Sequence, residues 1–320
     1  MSGPDRAASL QSLLAEGRYQ DALDRYAAEP LPTGDPAVAL ALATAATRLG
    51  RFTAGEQLAT TAIDEFRRRA DDDGRLRAVN LLGAINYERG ELSKAVGLWE
   101  DALGLARLLS DTTMVARTSN NLATTRYLVG RTAEAVRDYR EAWQAYQRLG
   151  DRRGLAETLH NLGIIARHDG ALDRAADLGL EAVRHAEAVG DPVLLALMMI
   201  GRAKTLLDQG ELDLADGVAQ RAAALCDEAG DELGKAEIEW VRAERSLKLN
   251  DPGGALDAAH RGREIAERHG SRLLQGECAA LAGRALTMLD RPDEARRYHE
   301  EARQIFTALG ATLWLQRLPT

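Results

Sequence analysis

The chain repeats itself every 40 residues from about residue 71 onward, and that period limits the folds open to it more than any other feature. Gly90, Gly130, Gly170 and Gly210 fall at one phase, continued by Asn250 and Asp290. Gly150, Gly190, Gly230, Gly270 and Gly310 fall 20 residues away at the other. These residue types tolerate the left-handed backbone at a helix end, so two stops per period describe a helix, a turn and a second helix. A period of this length predicts stacked helical hairpins that share a seam with their neighbours, not one globular core. Six units begin near Asp71, Asp111, Asp151, Asp191, Asp231 and Ser271. Gly-Asp at 150/151, 190/191 and 230/231 joins a helix stop to an N-cap, and Asp-Pro at 35/36, 191/192 and 251/252 adds proline at the first helical position.

Composition narrows the function classes. Aromatics make up 4% of the 320 residues against 45% hydrophobic residues overall, which suits close-packed helices and argues against a β-propeller of similar period. A net charge of −8 lacks the basic excess of a general nucleic-acid binder. Lysine occurs only at 94, 204, 235 and 248, so the cations are mostly arginine, with its two-pronged geometry for carboxylates. Cys226 and Cys278 are too few and too far apart for a zinc site or a disulfide framework, which predicts a reducing compartment. The first residues show no basic region before an apolar stretch, and the most apolar segment, 192–200, is too short to span a bilayer. The expected location is the cytoplasm, with no membrane partner.

Small residues recur where helices approach closely. Gly83, Ala123, Gly163, Ala203, Ala243 and Gly283 form one column. Ala95, Ala135, Ala175, Ala215, Ala255 and Ala295 form a second, and Ala102, Ala142, Ala182, Ala222, Gly262 and Ala302 a third. This arrangement resembles the tetratricopeptide repeat, and NNLATTRYLVGRTAEAVRDYREA and HNLGIIARHDGALDRAADLGLEA are close to its pattern. The units exceed the usual 34-residue form. They look more like the lengthened repeats of kinesin light chains and of sensor arms in large bacterial signal-transduction regulators. The resemblance implies an all-α fold, a right-handed superhelical α-solenoid of about eight antiparallel helix hairpins. The expected organisation is one solenoid over 1–320, with two shorter hairpins in 1–70 joined by a linker from Pro30 to Pro36. Six repeats then fill 71–310, and a cap over 311–320 lays Trp314 and Leu318 on the last seam. HEAT and armadillo repeats share the period but not this alternation of small residues. GDELGKA at 230–236 lacks the spacing and the Ser/Thr of a phosphate-binding loop, and no DNA-binding helix pair is apparent.

In the family resembled, the first helix of each hairpin lines a concave groove. Carried onto this sequence, that lining gives a candidate ligand groove of Arg77, Asn80, Tyr87, Arg117, Asn120, Asn121, Tyr127, Glu157, His160, Asn161, Arg167, Ile200, Lys204 and Trp240. Asn121 and Asn161 match the asparagines that clamp a peptide backbone, which needs a donor and an acceptor on one short arm. The match fails at Gly201, Val241 and Leu281. The arginines equally suit ion pairs with neighbouring helices, and Ile200 and Trp240 suit seam packing if the phase shifts by one residue. The implied function is a non-catalytic protein- or peptide-binding adaptor or sensor. An acidic ligand end is expected near Arg77 and Arg117.

The alternative is a small-molecule sensor or unconventional enzyme with a pocket around Glu157, His160, Arg167, Lys204 and Trp240. Glu157 and His160 lie three apart on one helical face, a spacing that lets a carboxylate orient an imidazole. His160 and His168 are not on one face tightly enough for a metal. No cofactor, metal or catalytic residue is expected, and self-association through an uncovered end is a third outcome.

Overall fold

The computed structural model describes residues 3–27 and 35–319. Most of the expected 30–36 linker therefore lies outside the described residues. Among the described residues there are seventeen helices and no strand. The first six are α1 (Gly3–Ala15), α2 (Tyr19–Ala27), α3 (Pro36–Arg48), α4 (Phe52–Arg68), α5 (Asp72–Glu88) and α6 (Leu92–Leu108). Next come α7 (Thr112–Leu128), α8 (Thr132–Leu149), α9 (Arg152–His168), α10 (Leu172–Val189), α11 (Pro192–Gln209) and α12 (Leu212–Ala229). The last five are α13 (Glu232–Lys248), α14 (Pro252–Arg268), α15 (Arg272–Met288), α16 (Pro292–Ala308) and α17 (Thr312–Leu315). Each helix from α5 to α16 starts 20 residues after the one before it, so the sequence period is a structural period.

The chain divides into two compact units, one up to Thr125 and one from Arg126, with the division inside α7. The first contains the packed hairpins α3–α4 and α5–α6. The second contains α9–α10, α11–α12, α13–α14 and α15–α16, with α17 against α16. Each unit is all-α and built from antiparallel helix hairpins packed on their neighbours in chain order.

The expected punctuation is in place. Gly74, Gly154 and Gly234 donate their N–H to the Asp71, Asp151 and Asp231 carboxylates at 2.9, 3.0 and 3.0 Å, capping α5, α9 and α13. Gly150, Gly190 and Gly230 take left-handed φ of 66°, 77° and 67°. Ala70 and Ser110 occupy the same register with φ of 53° and 55°, although neither residue type announces such a turn.

Seam packing follows a rule with twice the repeat length. The last turn of each second helix faces the third residue of the next first helix, eight positions on. Phe66 faces Gly74, Tyr146 faces Gly154 and Cys226 faces Gly234, and a Cβ on any of these glycines would collide with the facing side chain. In the intervening repeats the sizes are exchanged, with Ala106 and Met114, Ala186 and Leu194, and Ala266 and Leu274 all buried. One of each pair fills the hole left by the other, which keeps the seam at the density of a close-packed interior. A similar exchange operates at Gly83, where a Cβ would come within 2.6 Å of the Trp99 indole. That indole is buried and donates its N–H to the Asn80 carbonyl at 3.2 Å.

Candidate functional site

The candidate groove residues fall in both units. In the first, Arg77 is bound along its own helix by Asp73, with guanidinium-to-carboxylate distances of 3.0 and 3.1 Å. Asn80 accepts a hydrogen bond from the Thr118 hydroxyl at 3.3 Å, which ties α5 to α7. Tyr87 lies with its ring centroid 5.9 Å from that of Trp99, and burial raises its phenol pKa. Arg117 is exposed, and Asn120 and Asn121 are partly buried. Asn120 has partners of its own, and the Asn121 carbonyl accepts from Thr125 at 3.0 Å.

The second unit concentrates chemistry on the face formed by the end of α7 and the first helices α9, α11, α13 and α15. Tyr127 is 6% exposed, and its hydroxyl meets Nδ1 of His168. Arg167 donates from one guanidinium nitrogen to Nε2 of His168 at 3.0 Å and from the other to Asp208 at 3.0 Å. Arginine only donates, so Nε2 accepts and the neutral ring carries its proton on Nδ1, which donates to the Tyr127 oxygen. Burial, reinforced by the charge of Arg167, lowers the His168 pKa to about 2, and burial pushes the Tyr127 phenol up to about 12. The cluster is held neutral over the physiological range.

His160 is the second neutral histidine. Burial, followed by the nearby Lys204 charge, lowers its pKa to about 4. Its ring occupies the space over Gly201, where a Cβ would lie 2.5 Å from Cε1 and 2.6 Å from Nδ1. The asparagine column therefore stops at Gly201 for a packing reason. Glu157, the expected orienting acid, lies 3.9 Å from Arg153 on its own helix, and burial raises its pKa. Asn161 is partly buried on the same face, and its side-chain amide makes no hydrogen bond among the described residues.

Further along the face, Lys204 pairs with Glu237 and stands 4.5 Å over the centroid of the Trp240 ring. Trp240 is partly buried and packs on three neighbouring core clusters. Ile200, expected to offer apolar surface to a ligand, is 2% exposed and belongs to the seam of α11 with α12 and α13. It lies under the face and is corrected to a core residue, because its helix is rotated so that Leu197 and Lys204 bracket it from outside.

Three residues not foreseen as site members, His168, Asp208 and Trp314, complete the geometry together with Glu277. The Trp314 indole N–H donates to Glu277 Oε1 at 2.6 Å. The same ring stands edge-on to Tyr127 at 5.9 Å and 73°, and to His168 at 6.1 Å and 82°. Burial raises the pKa of Glu277. Leu318 is buried with Phe306 on the last seam, as the expected cap requires, but Trp314 reaches beyond that seam to the groove face. No periodic signal links Trp314 to Tyr127, since they meet only after the intervening repeats have stacked. Among the described residues no helix is long and apolar enough to cross a membrane.

Comparison with known proteins agrees with the fold. A tetratricopeptide repeat family model matches residues 114–188, so this span carries tetratricopeptide repeats. No curated protein matches in sequence. The apo form of the quorum sensor NprR from B. thuringiensis is similar in structure, with a TM-score of 0.75 at 12% identity, over 95% of this chain and 87% of that one. A Rap protein complexed with Competence and Sporulation Factor has a TM-score of 0.65 at 13% identity, over 99% of this chain and 96% of that one. The Rap conjugation gene regulator of the plasmid pLS20, in complex with the Phr* peptide, has a TM-score of 0.65 at 15% identity, over 86% and 76%.

Proposed function

We propose that this chain is a non-catalytic regulatory module that holds a peptide, or an extended segment of a partner protein, on the groove face of its second unit. The observation that carries this reading is the composition of that face. Asn161, Lys204, Glu237, Trp240 and Glu277 present hydrogen-bonding and aromatic groups from the first helices of successive hairpins, α9, α11, α13 and α15. Such a row can hold an extended backbone and read its side chains in turn. A solved relative of the same fold is in complex with a peptide, which supports the reading by analogy of fold.

Acid–base catalysis is disfavoured by the same geometry. His160 is neutral and wedged over Gly201, and the charge of Glu157 is directed at Arg153. With its pKa lowered to about 4, the His160 imidazole is not poised for proton transfer near neutral pH.

Selection of peptides on the immobilised full-length chain tests the proposal. Bound peptides should protect amides of α9, α11 and α13 from hydrogen exchange. Asn161→Ala should weaken them about three- to tenfold, the worth of one or two side-chain hydrogen bonds. Peptides that ignore both Asn161→Ala and Trp240→Ala would place the binding surface elsewhere.

A further inference from the structure

We propose that the groove face of the second unit takes a peptide turn carrying a tryptophan with an arginine three residues after it, and that the chain's own segment 312–317 sits there as a stand-in for that ligand. This rests on the peptide-binding reading above and names the ligand chemistry for it.

The seam gives the first argument. At the step where Phe66 faces Gly74 and Ala106 faces Met114, the last repeat sets Phe306 against Trp314, two large residues in succession. Phe306 already fills the seam, 1% exposed and packed so closely on Gly276 that a Cβ there would come within 2.6 Å of its ring. Trp314 is therefore left only partly buried against the edge of this seam, and its indole extends from there to the groove face.

The contacts give the second. Trp314 supplies an N–H to Glu277 and two edge-on ring contacts to Tyr127 and His168. The Arg317 charge is near enough to Tyr127 to oppose the rise that burial gives its phenol pKa. Residues three apart share one face of a helical turn, so this pair can be carried by any short peptide that forms one turn.

Electrostatics gives the third. The cations of this face already have acid partners, Arg167 with Asp208 and Lys204 with Glu237. The Glu277 carboxylate has the Trp314 indole as its hydrogen-bond donor. Glu277 is partly buried, so a ligand that displaces the indole binds best when it brings an N–H of its own. The segment is also lightly held: among residues 312–319 only Leu318 is fully buried, and Thr312, Gln316, Arg317 and Pro319 are exposed.

The test uses the full chain and a synthetic peptide with the sequence of residues 311–319, labelled with a fluorophore. A tethered segment competes at an effective concentration on the order of millimolar, so Trp314→Ala should bind the peptide about 100-fold more tightly than the wild type. Replacing the peptide's own tryptophan by alanine should abolish binding, and adding Glu277→Gln to the Trp314→Ala chain should weaken it about tenfold. Should Trp314→Ala loosen the seam, Glu277→Gln in the otherwise wild-type chain provides a second reading. Amide exchange of 312–318 should then rise while α15 and α16 keep their protection. A folded Trp314→Ala chain that binds the peptide no better than wild type, or that binds the tryptophan-less peptide equally, overturns the inference. If selected peptides of other chemistry still bind the groove face in that case, the peptide-binding reading survives alone. If no peptide binds either chain, both fall.

Discussion

The size exchange along the seam makes a quantitative prediction that can be tested at Phe66 and Gly74. Phe66 is 5% exposed, and its ring sits where a Cβ on Gly74 would lie. Phe66→Ala removes a buried aromatic and should destabilise by about 3–5 kcal/mol. Gly74→Met alone drives a side chain into that ring and should cost about 1–3 kcal/mol. If the two acted independently, the double variant would lose about 4–8 kcal/mol. The molecule already contains the exchanged pair one repeat later, with Ala106 and Met114 both buried. Met114 there still donates its backbone N–H to the capping Asp111 carboxylate at 3.0 Å, so a large residue at this position leaves the cap intact. A volume-conserving exchange usually costs under about 1.5 kcal/mol, which predicts a favourable coupling of about 2.5 kcal/mol or more in the double variant. Urea unfolding followed by far-UV circular dichroism and by intrinsic tryptophan fluorescence measures all four corners of the cycle. Additivity within about 0.5 kcal/mol would show that the two positions do not share a hole, and the packing rule would be wrong.

The small-residue column at 83, 163 and 283 should not behave uniformly. Gly163→Ala places its Cβ 3.7 Å from Leu178 and the Ala175 carbonyl, ordinary contact distances, so it should stabilise by up to about 1 kcal/mol through helix propensity. Gly83→Ala meets the buried Trp99 ring and should destabilise by about 1–3 kcal/mol, and equal thermal shifts for the two would refute the distinction. Acid should weaken the second unit. His160 and His168 stay neutral in the folded chain down to about pH 4 and about pH 2, whereas the unfolded chain takes up protons below its ordinary histidine value of 6.5. The unfolded state therefore binds more protons, and stability falls as pH drops from about 6.5 toward 4, by up to about 1.4 kcal/mol per pH unit for each histidine. A melting temperature that holds steady or rises from pH 7 to pH 5 would show that these histidines are not kept neutral by the fold.

Much of the fold could be read from the sequence because its signals are local. Gly-Asp and Asp-Pro pairs place helix ends directly, and the constant 20-residue step from α5 to α16 follows from them. Ala70 and Ser110 escaped that reading, since left-handed backbone there is imposed by the neighbouring repeats and not by residue type. The groove was legible only up to a rotation. A 40-residue period fixes which residues are equivalent between repeats but not which way each helix is turned about its axis. Ile200 shows the consequence: the same register permits groove lining or seam packing, and only the fit against Ile238 and Val241 puts it inside. His168 and Trp314 were out of reach for a different reason. Their contact depends on how the intervening repeats stack, and no sequence period encodes that sum.

The ion pairs of the second unit bear on what the groove face can accept. Arg153 with Asp191, Arg167 with Asp208, Lys204 with Glu237, and Arg284 with Glu244 each join the first helices of neighbouring hairpins. Partly exposed pairs of this kind contribute about 0–1 kcal/mol each, so their main effect is not on stability. They do assign each cation to an adjacent repeat, and a ligand carboxylate could reach those cations only by breaking a pair already made. Arg77 in the first unit is likewise held by Asp73, which removes one of the two anchors expected for an acidic ligand end. The groups left to take a ligand in the second unit are the Asn161 amide, the face of Trp240, the Tyr127–His168 cluster and the Glu277 carboxylate. Taken together they favour hydrogen-bond donors and aromatic rings over anions. Discrimination between candidate ligands then follows from donors and rings, because a ligand lacking an N–H for Glu277 leaves a partly buried carboxyl group without the donor it has in the free chain.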